Sequence, residues 1–105
     1  MIFYKGLLVK DLKDNFVPGS VTTSLTEARM WADRISSRKT KGAAKHVRHG
    51  KSCIISFEID EKNLLSHEEF QRAGVSEHQR KNCWMNQVRS KAQINTVINN
   101  YSIIE

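Results

Sequence analysis

The chain has 105 residues, of which 39% are hydrophobic and 27% charged, and it carries a formal net charge of +6. This composition is typical of a single globular domain spanning residues 1–105 and argues against wholesale disorder. No apolar run approaches the ~20 residues that cross a bilayer, and the first residues lack the pattern of a signal peptide, so we expect a cytoplasmic protein without a membrane partner.

The cysteine and histidine content points away from a disulfide framework and from a metal site. Cys53 and Cys83 each lie in an apolar stretch and are interpreted as buried thiols. A metal site would need further ligands at close spacing, and the four histidines do not supply them: His46 and His49 are three residues apart, but no cysteine or carboxylate lies beside them. The sequence therefore predicts no bound metal.

The first forty residues predict two strands and a helix. Residues 2–4 form a short apolar strand that Gly6 interrupts, residues 7–9 continue the apolar run, and a loop or short helical turn follows. Pro18-Gly19 is a turn signal before the β-branched run at residues 21–23. Ser24-Leu25-Thr26-Glu27 has the form of a capping box, in which the serine hydroxyl and the glutamate each satisfy a free backbone N–H. The helix that follows has one apolar face, made of Leu25, Ala28, Trp31, Ala32 and Ile35, and it ends at Ser36-Ser37.

Residues 38–51 contain six Lys and Arg, two His, two Gly and no acidic residue. They predict an exposed basic loop, and two interpretations remain open: a solvated loop, or one that binds an anion or an acidic partner. The candidate anion- and partner-binding residues are Arg38, Lys39, Lys41, Lys45, Arg48 and Lys51.

The second half of the chain predicts a strand, two helices and a β-rich C-terminus. Residues 52–59 alternate in the manner of a half-buried strand. Residues 66–69 form a second capping box, opening a helix through about residue 72 that Gly74 stops. A third box opens a predicted helix over residues 76–91. Residues 94–104 are read either as a hairpin or as one long strand with a bulge. The order of elements predicts an α+β fold with a mixed, mostly antiparallel sheet and two to three helices.

Several catalytic motifs are absent, but the order of short motifs in the first sixty residues is informative. Phe3-Tyr4-Lys5-Gly6 lies on the first strand, and the segment Pro18 to Leu25 passes directly into Glu27-Ala28-Arg29-Met30-Trp31-Ala32. The apolar strand Cys53 to Ile59 follows. This succession resembles the small ADP-ribosyltransferase-fold domains, and the resemblance covers about residues 2 to 60 and, more loosely, the C-terminal strands.

The resemblance implies NAD or a related nucleotide as the ligand, and it implies roles for particular residues. Lys5 stands where the family has arginine or histidine, and it lacks the planar fork of arginine. The family's catalytic glutamate lies on a late strand in Gln-x-Glu or Glu-x-Glu, which here matches Gln93-Ile94-Asn95. An amide carries no charge with which to stabilise an oxocarbenium-like cation, and Glu105 is the only late carboxylate. The implied catalytic residues are therefore Gln93 and Glu105, and the implied cofactor-binding residues are Tyr4, Lys5, Gly6, Thr22, Thr23 and Ser24.

Two functional hypotheses follow. The first is an ADP-ribosyltransferase-like domain that binds or uses NAD, with catalysis either retained or lost. The second is a small basic protein that binds nucleic acid or an acidic protein partner as an interaction module or inhibitor, through the basic loop and the predicted basic helix at residues 76–91.

Overall fold

The computed structural model describes residues 1–37, 50–73, 83–86 and 90–105, and these form one seven-stranded sheet with two α-helices. The strands are β1 (Ile2–Leu8), β2 (Gly19–Thr22), β3 (Ser52–Glu58), β4 (Leu64–Ser66), β5 (Cys83–Asn86), β6 (Lys91–Ile94) and β7 (Ser102–Ile103). The helices are α1 (Leu25–Ser37) and α2 (His67–Arg72). The strand order is β4-β5-β6-β2-β1-β3-β7, with β4 and β5 parallel and all other neighbours antiparallel. The predicted α+β fold with a mixed, mostly antiparallel sheet is confirmed.

The sheet consists of two halves that are joined by a single residue pair between β1 and β2. β1 and β3 pair along their whole length, from Ile2 opposite Glu58 to Leu8 opposite Ser52. In contrast, β1 and β2 pair only where Tyr4 lies opposite Thr22. One half of the sheet is therefore made of β7, β3 and β1, and the other of β2, β6, β5 and β4. Apart from the pair of Tyr4 and Thr22, β1 and β2 are not paired, and this gap is here called the break in the sheet.

The core lies on one face of the sheet, here called the core face. Both halves contribute to it, since Phe3, Val21, Ile55 and Ile94 are all fully buried in one cluster. The opposite face, here called the helix face, carries α1 over β1 and β3. Because side chains alternate along a strand, each strand contributes to both faces.

α1 lies very close to β1, and Gly6 is the reason that it can. A Cβ added at Gly6 would lie 2.5 Å from the carbonyl oxygen of Ala28 and 2.8 Å from the backbone nitrogen of Ala32. The prediction that Gly6 interrupts the strand is therefore wrong. β1 runs through this position, and the glycine provides room for the helix.

Two predictions for residues 66–72 are confirmed, the capping box at Ser66 and the end of the helix near residue 72. The hydroxyl of Ser66 accepts a hydrogen bond from the backbone N–H of Glu69 at 3.1 Å, so the second box does cap a helix. α2 ends at Arg72 as expected. Gly74 lies outside the described residues.

Two predictions for the C-terminal half are wrong. The helix expected over residues 76–91 is replaced, where the chain is described, by β5 and by the start of β6. Pairing of β5 with β6 places Cys83 opposite Ile94, and both residues are buried; a helix over residues 76–91 would not bring them together. Residues 94–104 form neither a hairpin nor one long strand: after β6, Ile98 pairs with Phe16, and β7 then joins β3 at the other edge of the sheet.

Neither described helix is long and apolar enough to cross a membrane.

Candidate functional site

The candidate site is a groove on the helix face of the β2 half, beside α2. Val21, Ala92 and Ile94 point into the core, so alternation turns their neighbours to the other side. The side chains that form the floor of this groove come from paired positions, with Ser20 opposite Gln93. Trp84 lies opposite Gln93 on the far strand, and α2 packs above it.

The groove is open, has a volume of about 480 Å³, and has an aromatic wall. The side chains that line it are Val17, Phe70, Trp84, Gln93 and Asn95. The half-buried Trp84 ring lies 4.5 Å from the His67 ring and 6.0 Å from the Phe70 ring, measured between centroids. α2 therefore holds the indole in place through two aromatic contacts, leaving a flat apolar surface beside polar amides.

Gln93 is fixed at the floor of the groove by two hydrogen bonds. Its Nε2 donates to Oδ1 of Asn95 at 3.0 Å, and its Oε1 accepts from the Ser20 hydroxyl at 3.2 Å. The residue that the resemblance matched to the catalytic position thus lies in the groove, together with the second amide of the same motif. Both groups are neutral. They can donate to and accept from a ligand, but neither supplies negative charge to a developing cation.

Lys5 reaches the same strand through the break in the sheet. Two residues beyond Tyr4 and Thr22, a continued β1–β2 ladder would place Gly6 opposite Ser20; instead, the Lys5 ammonium donates to the Ser20 carbonyl at 3.0 Å. Desolvation by burial lowers the pKa of Lys5. Alternation along β1 places Lys5 on the core face and Gln93 on the helix face, so the two predicted residues contact Ser20 from opposite sides.

Gly6 and Tyr4, the other two residues predicted on β1 to bind the cofactor, lie on the helix face, but only the backbone of Gly6 is directed toward the break. The backbone N–H of Val9 donates to the carbonyl of Lys51 at 2.8 Å, which fixes the alternation of the β1–β3 ladder. Counting back from Val9, the backbone N–H and C=O of Gly6 point away from β3 and toward β2. Tyr4 is half-buried and packs with α1 on the helix face.

The predicted hydroxyl cluster braces the junction of β2 with α1. Thr22 is completely buried, and its Oγ1 accepts from the backbone N–H of Ser24 at 3.0 Å. The Ser24 hydroxyl accepts from the N–H of Glu27 at 3.3 Å, and Thr23 Oγ1 donates to the carbonyl of Ser90 at 3.4 Å. These three side chains therefore connect the end of β2 to the start of α1 and to Ser90, the residue before β6.

The sequence missed the carboxylate of this region. Glu27 does not close the capping box, because the N–H of Ser24 donates to Thr22 instead. The Glu27 carboxylate accepts from the Thr22 hydroxyl at 3.1 Å and lies 3.2 Å from the Lys91 ammonium, which in turn lies 5.8 Å from the centroid of Trp31. The Glu27 side chain is 25% exposed. Only the register of β2 with β6 brings Lys91 to this carboxylate, and that register has no local sequence signal.

Glu105, the other predicted catalytic residue, lies elsewhere. Its carbonyl accepts from the N–H of Ile54, which places it beyond β3, and its exposed carboxylate is held by both nitrogens of the Arg29 fork. The hydrogen bond from Arg29 is the main cause that lowers the pKa of Glu105. Four strand spacings separate it from Gln93, which is roughly 19 Å. The structure does not bring these two residues into one site.

Most of the predicted basic set lies outside the described residues, and only Lys51, which is exposed, can be placed. The charge of the whole chain is unevenly distributed along the sequence. The described ranges contain nine Lys and Arg and ten Asp and Glu, so their net charge is −1. Because the whole chain has a net charge of +6, residues 38–49, 74–82 and 87–89 together carry +7.

No protein-family model, no curated protein and no solved structure matches this chain, and the interpretation of the groove therefore rests on its own residues and geometry.

Proposed function

We propose that this protein is an ADP-ribosyltransferase-like domain that binds NAD or ADP-ribose in the groove beside Trp84 and has lost transferase chemistry. The observation that carries the proposal is the pairing of a fixed indole with two fixed amides, Gln93 and Asn95, in one open groove. Nucleotides present the same combination of surfaces: a flat ring with hydrogen-bonding edges, joined to hydroxyl-rich ribose.

The geometry suits a planar ring and its substituents. The ring stacks against the exposed part of Trp84, an interaction of about 1–3 kcal/mol for a nucleobase on an aromatic side chain. The amides of Gln93 and Asn95 then donate to and accept from the ring edge or a ribose hydroxyl.

The loss of catalysis follows from the charges. Cleavage of the nicotinamide bond develops positive charge on the ribose, and a carboxylate at that position stabilises it. The matched position here is an amide, Glu105 lies too far away and is engaged by Arg29, and the charge of the Glu27 carboxylate is matched by the Lys91 ammonium. We therefore expect binding of NAD without release of nicotinamide.

Calorimetric titration with NAD and with ADP-ribose tests this proposal. We expect saturable binding of both, and we expect Asn95→Ala and Gln93→Ala to weaken it about tenfold each, because a lost hydrogen bond to a buried polar group costs about 1–3 kcal/mol. Asn63→Ala is the matched control, since Asn63 is an exposed amide outside the groove. Absence of heat with both ligands at millimolar concentration contradicts the proposal.

Binding of nucleic acid or of an acidic protein is the second candidate, and the concentration of positive charge in three sequence segments favours it. Trp84 would then stack a base of single-stranded nucleic acid while those segments contact phosphates. Binding of a fluorescent oligonucleotide should weaken steeply between 50 and 200 mM salt, as counterion release requires. Salt-independent binding, or none, would eliminate the nucleic-acid version, and binding only to acidic proteins would leave the interaction module.

A further inference from the structure

The Glu27 carboxylate lies beside the groove without the capping role that its sequence position predicts. In a closed capping box the glutamate accepts from the N–H of the N-cap residue. Here the Ser24 N–H is taken by Thr22, and the carboxylate turns toward the ends of β2 and β6. Its position is therefore determined by Thr22 and Lys91, two residues of the sheet.

Glu27 lies one row of side chains from the floor of the groove. Thr22 lies opposite Lys91, and Ser20 lies opposite Gln93, two residues further along the same two strands. Two residues of a strand span roughly 7 Å. A ligand whose ring lies against Trp84 and Gln93 extends by one sugar to reach the Glu27 carboxylate.

The carboxylate retains capacity for further hydrogen bonds. An ionised carboxylate accepts at about four lone-pair positions, and the Thr22 hydroxyl and the Lys91 ammonium occupy one on each oxygen. The side chain is a quarter exposed, so a ligand can approach it. Two neighbouring hydroxyls are the natural complement, because each donates one hydrogen bond, whereas a phosphate presents only acceptors and negative charge.

We propose that Glu27 binds the vicinal hydroxyls of the adenosine ribose of a dinucleotide whose adenine lies against Trp84, and so makes the site selective for nucleotides whose adenosine 2′-hydroxyl is not phosphorylated. The inference rests on the proposed nucleotide-binding function and adds the ligand class that the site accepts. Lys91 holds the carboxylate in place and lies beside the diol, and its charge is already matched by Glu27.

Titration of the unmodified protein with NAD and with NADP, which differ by one 2′-phosphate, gives the first readout. We expect NAD to bind at least about tenfold more tightly. In Glu27→Gln we expect NAD to bind about tenfold more weakly and the preference over NADP to fall to within about threefold. Glu61→Gln, an exposed carboxylate outside the groove, is the matched control and should retain the preference.

The outcomes separate the two proposals. Equal binding of NAD and NADP by the unmodified protein, or an unchanged preference in Glu27→Gln, overturns the role of Glu27 and leaves the groove intact. No binding of NAD overturns both. A purely structural Glu27 would lower the melting temperature without changing the ratio of affinities, so thermal unfolding is measured for each variant. Should Glu27→Gln not fold, the ratio in the unmodified protein and in Glu27→Asp decides the matter.

Discussion

Gly6 is the closest point of approach between β1 and α1. Any larger residue places a Cβ 2.5 Å from the Ala28 carbonyl oxygen, and that atom belongs to the helix backbone, so it cannot rotate away. We expect Gly6→Ala to lower the free energy of unfolding by about 1–3 kcal/mol, as overpacking of a well-packed core does. Urea denaturation measures the change.

Gly50 provides the control for that measurement, because a Cβ there meets nothing within 4 Å. Gly50→Ala should change the free energy of unfolding by less than about 0.5 kcal/mol, as most exposed substitutions do. Equal stability of the two variants would mean that α1 does not rest on β1 as described.

Arg29 and Glu105 form an exposed ion pair that tethers the C-terminal residue to α1. Removing the guanidinium in Arg29→Gln should raise the pKa of Glu105 toward its ordinary value, because the hydrogen bond from Arg29 is the main cause of its lowering. A carboxyl whose pKa is lowered by folding stabilises the fold above the unfolded pKa, and this contribution is lost as pH falls through the folded pKa. An NMR titration of the Glu105 side chain tests this, and an identical pKa in both proteins contradicts the pairing.

β6 connects the groove to the core, since Gln93 points outward and Ile94 is completely buried. We expect Ile94→Ala to lower the free energy of unfolding by about 2–5 kcal/mol through lost burial and a residual cavity. Val97→Ala is the control, because Val97 is 62% exposed, and it should change stability by less than about 0.5 kcal/mol. Comparable effects of the two would place the strand in the wrong register.

Elements with a strong local signal could be predicted from the sequence, and elements defined by pairing could not. α1 has a serine cap and an apolar stripe, and β3 alternates except at Ile54, which is buried against α1, so the sequence predicts both elements within a residue or two of their bounds. β5 lies within the helix predicted over residues 76–91, because the third capping box and the helical spacing of Trp84 and Val88 favour a helix there. What decides this segment is the burial of Cys83 against Ile94, a contact that exists only once the strands pair.

In the whole molecule, the candidate site likewise combines residues that the sequence could indicate with residues that only strand pairing brings together. The motif resemblance singled out Gln93, which lies in the groove, but it gave no role to Trp84 or Ser20, which strand register places opposite Gln93, or to Glu27. It also grouped Glu105 with Gln93, although four strand spacings separate them. Proximity across a sheet depends on strand order, and here the order β5-β6-β2-β1-β3 interleaves segments from both ends of the chain.

The central claim is that a nucleotide binds in the groove beside Trp84 and α2, and NMR mapping with NAD tests it most directly. We predict that the Trp84 indole N–H and the side-chain amides of Gln93 and Asn95 shift in a saturable manner as NAD is added, while the Asn63 side-chain amide does not. Shifts confined to residues outside the groove, or none up to millimolar NAD, would contradict the account.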